Sequence, residues 1–363
     1  MNEQTEQVET QKTPAPPSTS AALMLLSRLQ SGIGLILIII LAIVLSPRAR
    51  DGSIIFLESG NLTDILKQVS ETGIMALGMT FVILTAGIDL SVGSILALSA
   101  TVTALCLDKS HYGAWFSSSC GSFGVHIAAA AAMGILAGAA VGTLNGLVIS
   151  RLKIQPFIVT LATMLGIRGL ARLLVSNTNI DFGFGNDVTA VFCDVVSHKA
   201  FVIGSLLTVA IVLAVLLNRT VFGRYVRAIG DNERAALYTG IPIGRMKVWV
   251  YVLAGLLTGL AGVIHAAQSH QGNANDGVSY ELDAIAAVVI GGTRLSGGSG
   301  TIVGTMIGTL IMGILVNLLG LNGMDENRKL IIKAVIIILA VWVQSGGRTA
   351  LLKLLRMCGL VRA

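Results

Sequence analysis

The chain has 363 residues, of which 54% are hydrophobic and 12% charged, with a net charge of +6. A typical soluble domain is about 25% charged, and several apolar runs here approach the ~18–20 residues that cross a hydrocarbon core. A soluble globular protein is therefore excluded, and the reading is an all-α polytopic membrane protein. The positive charge belongs to loops, because no basic cluster is interleaved with base-stacking aromatics, so nucleic acid is not expected as a partner.

In chain order, residues 1–20 are polar and hold Pro14, Pro16 and Pro17, and residues 1–30 are read as a disordered cytoplasmic tail. The first apolar run, about Ile33–Leu45, follows Arg28 without a small-residue cleavage site and is taken as an uncleaved span. Hydropathy predicts about ten transmembrane helices, at roughly 31–46, 62–85, 88–107, 126–149, 156–175, 200–218, 246–268, 281–293, 301–320 and 329–345. These make one membrane domain over 31–345, followed by a tail over 346–363. Ten spans put both termini on one side. Arg151, Lys153, Arg219, Arg224, Arg227, Arg234, Arg245 and Lys247 fall in loops of that side, which the positive-inside rule makes cytoplasmic. Arg48 and Arg50 run against the rule. The span at 281–293 is too short for ~30 Å of hydrocarbon and predicts a half-helix or re-entrant segment.

Gly134, Gly138, Gly142 and Gly146 recur every fourth residue, a groove where another helix backbone can approach closely; packing within the chain is the favoured reading over a subunit contact. Gly300, Gly304 and Gly308 repeat the device. A second pattern is an internal echo. Residues 87–94, GIDLSVGS, align without gaps on residues 292–299, GTRLSGGS. Gly87, Ser91 and Gly93 match Gly292, Ser296 and Gly298, while Asp89 faces Arg294. Each copy follows an apolar run and opens another helix, which predicts broken helices in two pseudo-symmetric halves. Both breaks fall on the cytoplasmic side, so the repeat is expected to be parallel. Asp89 is expected either to cap the third span or to pair with Arg294.

Between the sixth and seventh spans lies the one long polar segment, Gly223–Ile241, within a cytoplasmic loop over 219–247. Asp231 or Asn232 fits an N-cap, Glu233 sits near the positive helix end, Gly240 fits the C′ position and Pro242 forbids continuation. Two turns of helix are unstable alone in water, so something must dock against them; the competing reading is an ordinary solvated loop. His265, inside an apolar helix, reads as a packed, hydrogen-bonded residue. No phosphate-binding GxxxxGK[ST] loop, GxSxG, HExxH or CxxC pattern is present, so no catalytic residue, metal or cofactor is expected. Charge inside the spans is sparse, with Lys67, Asp89, Arg168, Arg172, Glu281, Asp283 and Lys333 singled out, most of them near span ends, which argues against a proton relay. A transporter without relay or phosphate loop, carrying a capped cytoplasmic docking helix, draws its energy from a partner ATPase.

Residues 78–98 (GMTFVILTAGIDLSVGSILAL), 144–171, 223–241 and 284–315 together resemble the permease subunits of ribose/xylose/arabinose/galactose-type ABC importers. The resemblance runs over about residues 60–345. It implies a multi-pass protein of the bacterial inner membrane with a cytoplasmic ABC ATPase, a periplasmic sugar-binding protein and a second permease subunit, and transport of a pentose or hexose. It also makes Gly223, Arg224, Arg227, Gly230, Asp231, Asn232, Glu233, Ala235, Ala236 and Gly240 the counterpart of the coupling loop. Branched-chain amino-acid permeases of the same superfamily remain an alternative, and an ion-coupled carrier or channel a weaker one. Asn145, Gln155, Thr160 and Thr163 are candidates to line the pathway, with interhelical hydrogen bonding as the competing role. The chain departs from the family in long external segments bearing Cys120 and Cys193, which can pair in an oxidising compartment.

Overall fold

Apolar runs of this length leave the backbone no partner in hydrocarbon but itself, and helices result. The computed structural model describes residues 21–108, 123–185 and 188–342. The helices are α1 (Ala21–Leu45), α2 (Ser59–Leu84), α3 (Val92–Leu107), α4 (Phe123–Leu152), α5 (Pro156–Leu174), α6 (Val188–Ser197) and α7 (Lys199–Arg219). They continue with α8 (Val221–Asp231), α9 (Glu233–Tyr238), α10 (Ile243–Ser269), α11 (Tyr280–Ile290), α12 (Ile302–Leu321) and α13 (Glu326–Trp342). Two-residue strands β1 (Ile180–Asp181) and β2 (Gln271–Gly272) pair antiparallel, Ile180 opposite Gly272. The protein is an all-α polytopic membrane protein. Among the described residues, five helices (α4, α5, α7, α10 and α12) are long and apolar enough to cross a membrane on their own. A helix stands at every expected span. α1 begins at Ala21, inside the tail expected over residues 1–30, because residues 21–30, AALMLLSRLQ, are themselves mostly apolar. The expected tail at 346–363 lies outside the described residues.

The core is centred on α10, with Tyr251, Phe81, Leu77, Leu96 and Ile264 buried together from α2, α3 and α10. Glycine sets the closest approach. A methyl at Gly138 would strike the Gly255 carbonyl, one at Gly142 the Tyr251 carbonyl, and Gly134 and Gly146 meet α3 and Val248 in the same way. The stripe is thus spent inside the chain, on α10 and α3. Gly304 and Gly308 serve α12 likewise, lying on the backbone of Gly291 and Ala287 at the end of α11, and Gly300 lies on Thr293.

The short span is a half-helix. α11 has 11 residues, about 16 Å of rise, and is preceded by an irregular segment running beside α3. Gly272 lies against Ala100, Thr101 and Ala104, and Gly277 against Gly93 and Leu96. Extended segment plus half-helix together make one discontinuous span. Residues 85–91 make a second irregular stretch, so the third span is helical only from Val92 rather than from 88.

Candidate functional site

α8 and α9 build the long polar segment. Thr220 caps α8, its Oγ1 accepting from the Gly223 amide at 3.4 Å, and Gly223 lies so close to the Leu217 carbonyl that no side chain fits. Phe222 packs on Phe81 of α2 with ring centroids 6.0 Å apart, and Ile229, Ala236 and Met246 form a small apolar cluster. Because α8 has an apolar face and a body to place it on, Gly223–Asp231 is itself helical; Asp231 ends α8 instead of capping α9. Asn232 caps α9, its Oδ1 accepting from the Ala235 amide at 3.0 Å. Gly240, at φ +81°, closes it: Gly240 donates to Leu237 O at 3.0 Å and Ile241 to Ala236 O at 3.2 Å. Glu233 pairs with Lys247 of α10 at 2.8 Å, and Arg227 donates to Asn218 Oδ1 at 2.8 Å. Arg224, Arg234 and Ala235 face outward. So do Leu237, 61% exposed, and Tyr238, 89% exposed. Sequence reasoning passed over this last pair; its signal was two large apolar side chains on a short polar helix, which no described residue covers.

Beneath α8 the two helix breaks meet. The Gly298 amide donates to the Leu84 carbonyl at 3.0 Å, tying the break before α12 to the end of α2. Gly230 of α8 sits on the same carbonyl and the same amide, closely enough that a methyl there would collide with both. A Cβ at Gly297 (φ +90°) would stand 2.9 Å from Gly230 Cα and 3.0 Å from the Ala86 amide, and Gly298 (φ +74°) packs on the Asp231 carboxylate. Three backbones therefore touch at one point, and both breaks lie on the side of α8.

Asp89 is fully buried and accepts from the Ser91 amide at 2.9 Å and the Ser91 hydroxyl at 2.5 Å. It sits two residues before Ser91, which holds the N-cap position of α3. Arg294 and Ser296 are exposed, Arg294 donating its amide to Ser299 O at 2.9 Å within a tight turn that begins after Gly292 (φ +91°). Both expectations for Asp89 are corrected: it neither occupies the N-cap nor pairs with Arg294. A one-residue match in an echo does not bring side chains to one face when the two breaks differ in length, residues 85–91 against 291–301.

Three of the four residues expected along a pathway are engaged in hydrogen bonds within the chain. Asn145 donates to Ser91 Oγ at 2.9 Å, Thr163 donates to Asn145 Oδ1 at 2.7 Å, and Thr160 donates to Ile88 O at 3.2 Å. They bind α4 and α5 to the first break, which is the competing role of interhelical hydrogen bonding. Gln155 is exposed at the start of α5, without a side-chain cap bond. Of the in-span charges expected from sequence, Lys333 of α13 pairs with Asp283 of α11 at 2.9 Å. Buried charge extends beyond them: Glu71 of α2 meets His265 Nδ1 at 2.8 Å and Asp276 meets His265 Nε2 at 3.1 Å. Cys193 is a free thiol buried in α6, pushed up to about 11 by burial and by the neighbouring Asp194. Its suggested partner Cys120 lies outside the described residues. Among the described residues no group of His, Cys, Asp and Glu is placed to hold a metal.

A helical membrane domain whose helix breaks converge under a capped, outward-facing surface helix is the framework of a transport permease. Residues 61–341 match the branched-chain amino acid transport system / permease component family, and the chain belongs to it. It is 42% identical over 315 residues to the ribose import permease protein RbsC of Bacillus subtilis, covering 85% of this chain and 90% of that one. It is 39% identical to RbsC of Escherichia coli K12, covering 87% and 93%, and 34% identical to the L-arabinose ABC transporter permease AraH of Azospirillum brasilense, covering 86% of each. No solved structure matches the chain. An ABC importer permease works with an ATPase and a substrate-binding protein.

Proposed function

We propose that this chain is the membrane subunit of a bacterial ABC importer for a monosaccharide, a pentose or hexose delivered by a periplasmic binding protein. It sits in the inner membrane with both termini cytoplasmic and works beside a second copy of itself. It catalyses no reaction and holds no cofactor, ATP being used by the partner ATPase. Its similarity to ribose and arabinose permeases supports the substrate class.

The observation that carries the mechanism is the contact of Gly230 with Leu84 and Gly298. The ATPase takes α9 through the exposed Leu237 and Tyr238, and its closure on ATP shifts α8. Because α8 rests backbone to backbone on both breaks, it cannot move without displacing the ends of α2 and α12. From the first break the displacement reaches the membrane interior through the Ser91–Asn145–Thr163 hydrogen bonds. In proteoliposomes holding this chain, its ATPase and its binding protein, Gly230→Ala is expected to abolish ribose uptake while subunit assembly and basal ATP hydrolysis persist. Uptake at the wild-type rate would remove the junction from the mechanism.

The family's description favours one second reading, a branched-chain amino acid as solute. Calorimetry on the cognate binding protein separates the two: heat from ribose or another monosaccharide supports the sugar, and heat from leucine alone overturns it.

A further inference from the structure

The segment between α10 and α11 is irregular backbone at membrane depth. From Leu84 at the cytoplasmic junction, α2 rises about 20 Å to Glu71. Glu71 meets His265 and His265 meets Asp276, so the segment around Asp276 lies well inside a core about 30 Å thick. Non-helical backbone survives at such depth only where protein covers it or where it faces a water-filled cavity, because lipid offers its amides and carbonyls nothing.

One side of the segment is covered. Ala274 and Gly277 are buried, Gly277 against Gly93, and Arg168 of α5 donates to the carbonyls of Ala274 at 3.0 Å and Asp276 at 2.7 Å. The Asp276 carboxylate is held by His265 from the α10 side. The other side is open. Asn275 is exposed, Val278 is 62% exposed and Leu282, one turn into α11, is 50% exposed. Exposed Arg172 of α5 donates Nε to Asn275 Oδ1 at 3.0 Å, so the open face carries a guanidinium and an amide side by side. A lipid-facing surface would leave both without water.

We propose that the face formed by Arg172, Asn275, Val278 and Leu282 lines the water-filled solute pathway, with Arg172 and Asn275 as its hydrogen-bonding groups for a neutral polyhydroxylated solute. The proposal rests on the transport reading above. Planar guanidinium donors beside an amide that both donates and accepts suit the alternating hydroxyls of a sugar. The apolar Val278 and Leu282 below them would let the solute pass without being held.

The test uses the complete transporter in right-side-out membrane vesicles. Cys106, Cys120, Cys193 and Cys358 are replaced by Ser in a background that still takes up ribose. Val278→Cys and Asn275→Cys are each treated with a charged, membrane-impermeant thiol reagent. Val212→Cys on α7, 58% exposed in mid-helix, is the lipid-facing reference. Where Val278→Cys itself stops transport, Leu282→Cys takes its place. Labelling at least tenfold faster than at position 212, with loss of uptake on labelling, is the expected result. Rates as slow as the reference in both ATP-free and ATP-trapped states would overturn the proposal and show this face covered by the second subunit. Fast labelling that leaves ribose uptake unchanged would make the face wet but place it outside the pathway, overturning the proposal while the transport reading stands.

Discussion

Single residues show how position decides what a charge or a methyl costs here. Asp89 satisfies the Ser91 amide and hydroxyl just before α3, so Asp89→Ala leaves a buried donor unmet and is expected to cost about 1–3 kcal/mol in detergent unfolding. Exposed Arg294 touches no acid, and Arg294→Ala should stay within about 0.5 kcal/mol. The double mutant should then equal the sum to within about 0.5 kcal/mol, and an interaction well beyond that would restore the ion pair. Cys193 gives a pH-dependent case. Its thiol is raised in the folded protein, so the folded state disfavours the thiolate that the unfolded chain forms more readily. The associated stability is present below pH 9 and is lost as pH rises from 9 towards about 11. Alkylation of Cys193 at pH 8, read by peptide mass, should be slow in the native protein and rapid once it is unfolded; rapid native alkylation would contradict the burial.

At the scale of elements, the α4–α10 pair is the most tightly built. Its glycines bring one helix's carbonyls onto the other's Cα atoms, and interiors this close do not accept a methyl. Gly138→Ala is expected to destabilise by about 1–3 kcal/mol through overpacking. Gly166 of α5 has open space where its Cβ would point, so Gly166→Ala should be neutral or stabilise by up to about 1 kcal/mol through helix propensity. Comparing the two unfolding temperatures in one detergent checks the pair, since helix propensity alone predicts the same sign for both. α9 has the opposite character: six residues, fixed by Asn232, Gly240 and the Glu233–Lys247 bond, with Leu237 and Tyr238 left outside. Tyr238→Ala should leave membrane insertion intact and lower ATPase co-purification at least tenfold, as expected for a large exposed anchor.

For the whole molecule the energy source is the sharpest question. The Glu71–His265–Asp276 chain lies about 20 Å along α2 from the junction of the breaks, and between the two the described residues of α2 offer only the Thr80–Thr305 hydroxyl pair as a polar contact to α12. Three groups at one level make a local clasp; a proton path needs a succession of them across the bilayer. Uptake by the complete transporter should therefore persist with a protonophore at constant ATP and vanish when the partner ATPase loses its catalytic glutamate. Collapse under the protonophore would turn this clasp into a carrier of protons and unseat the importer reading.

Much of this architecture is local, and local physics is legible in sequence. Apolar length located the spans, and Asn232, Gly240 and Pro242 marked the ends of α9, because each effect acts over a few residues of chain. The glycine stripe announced a close approach, although only the folded chain named α10 as its partner. Helix breaks were legible as Gly-rich echoes, yet their meeting with each other and with Gly230 joins residues more than 60 positions apart. His265 and Glu71 are 194 positions apart, and no periodicity carries that distance. The half-span at α11 shows the division: its shortness was visible in the sequence, but the irregular segment that completes it was not. Such a segment is held by Arg168 and His265 from two other helices, and what holds a non-helical backbone inside a membrane is decided by tertiary contact alone.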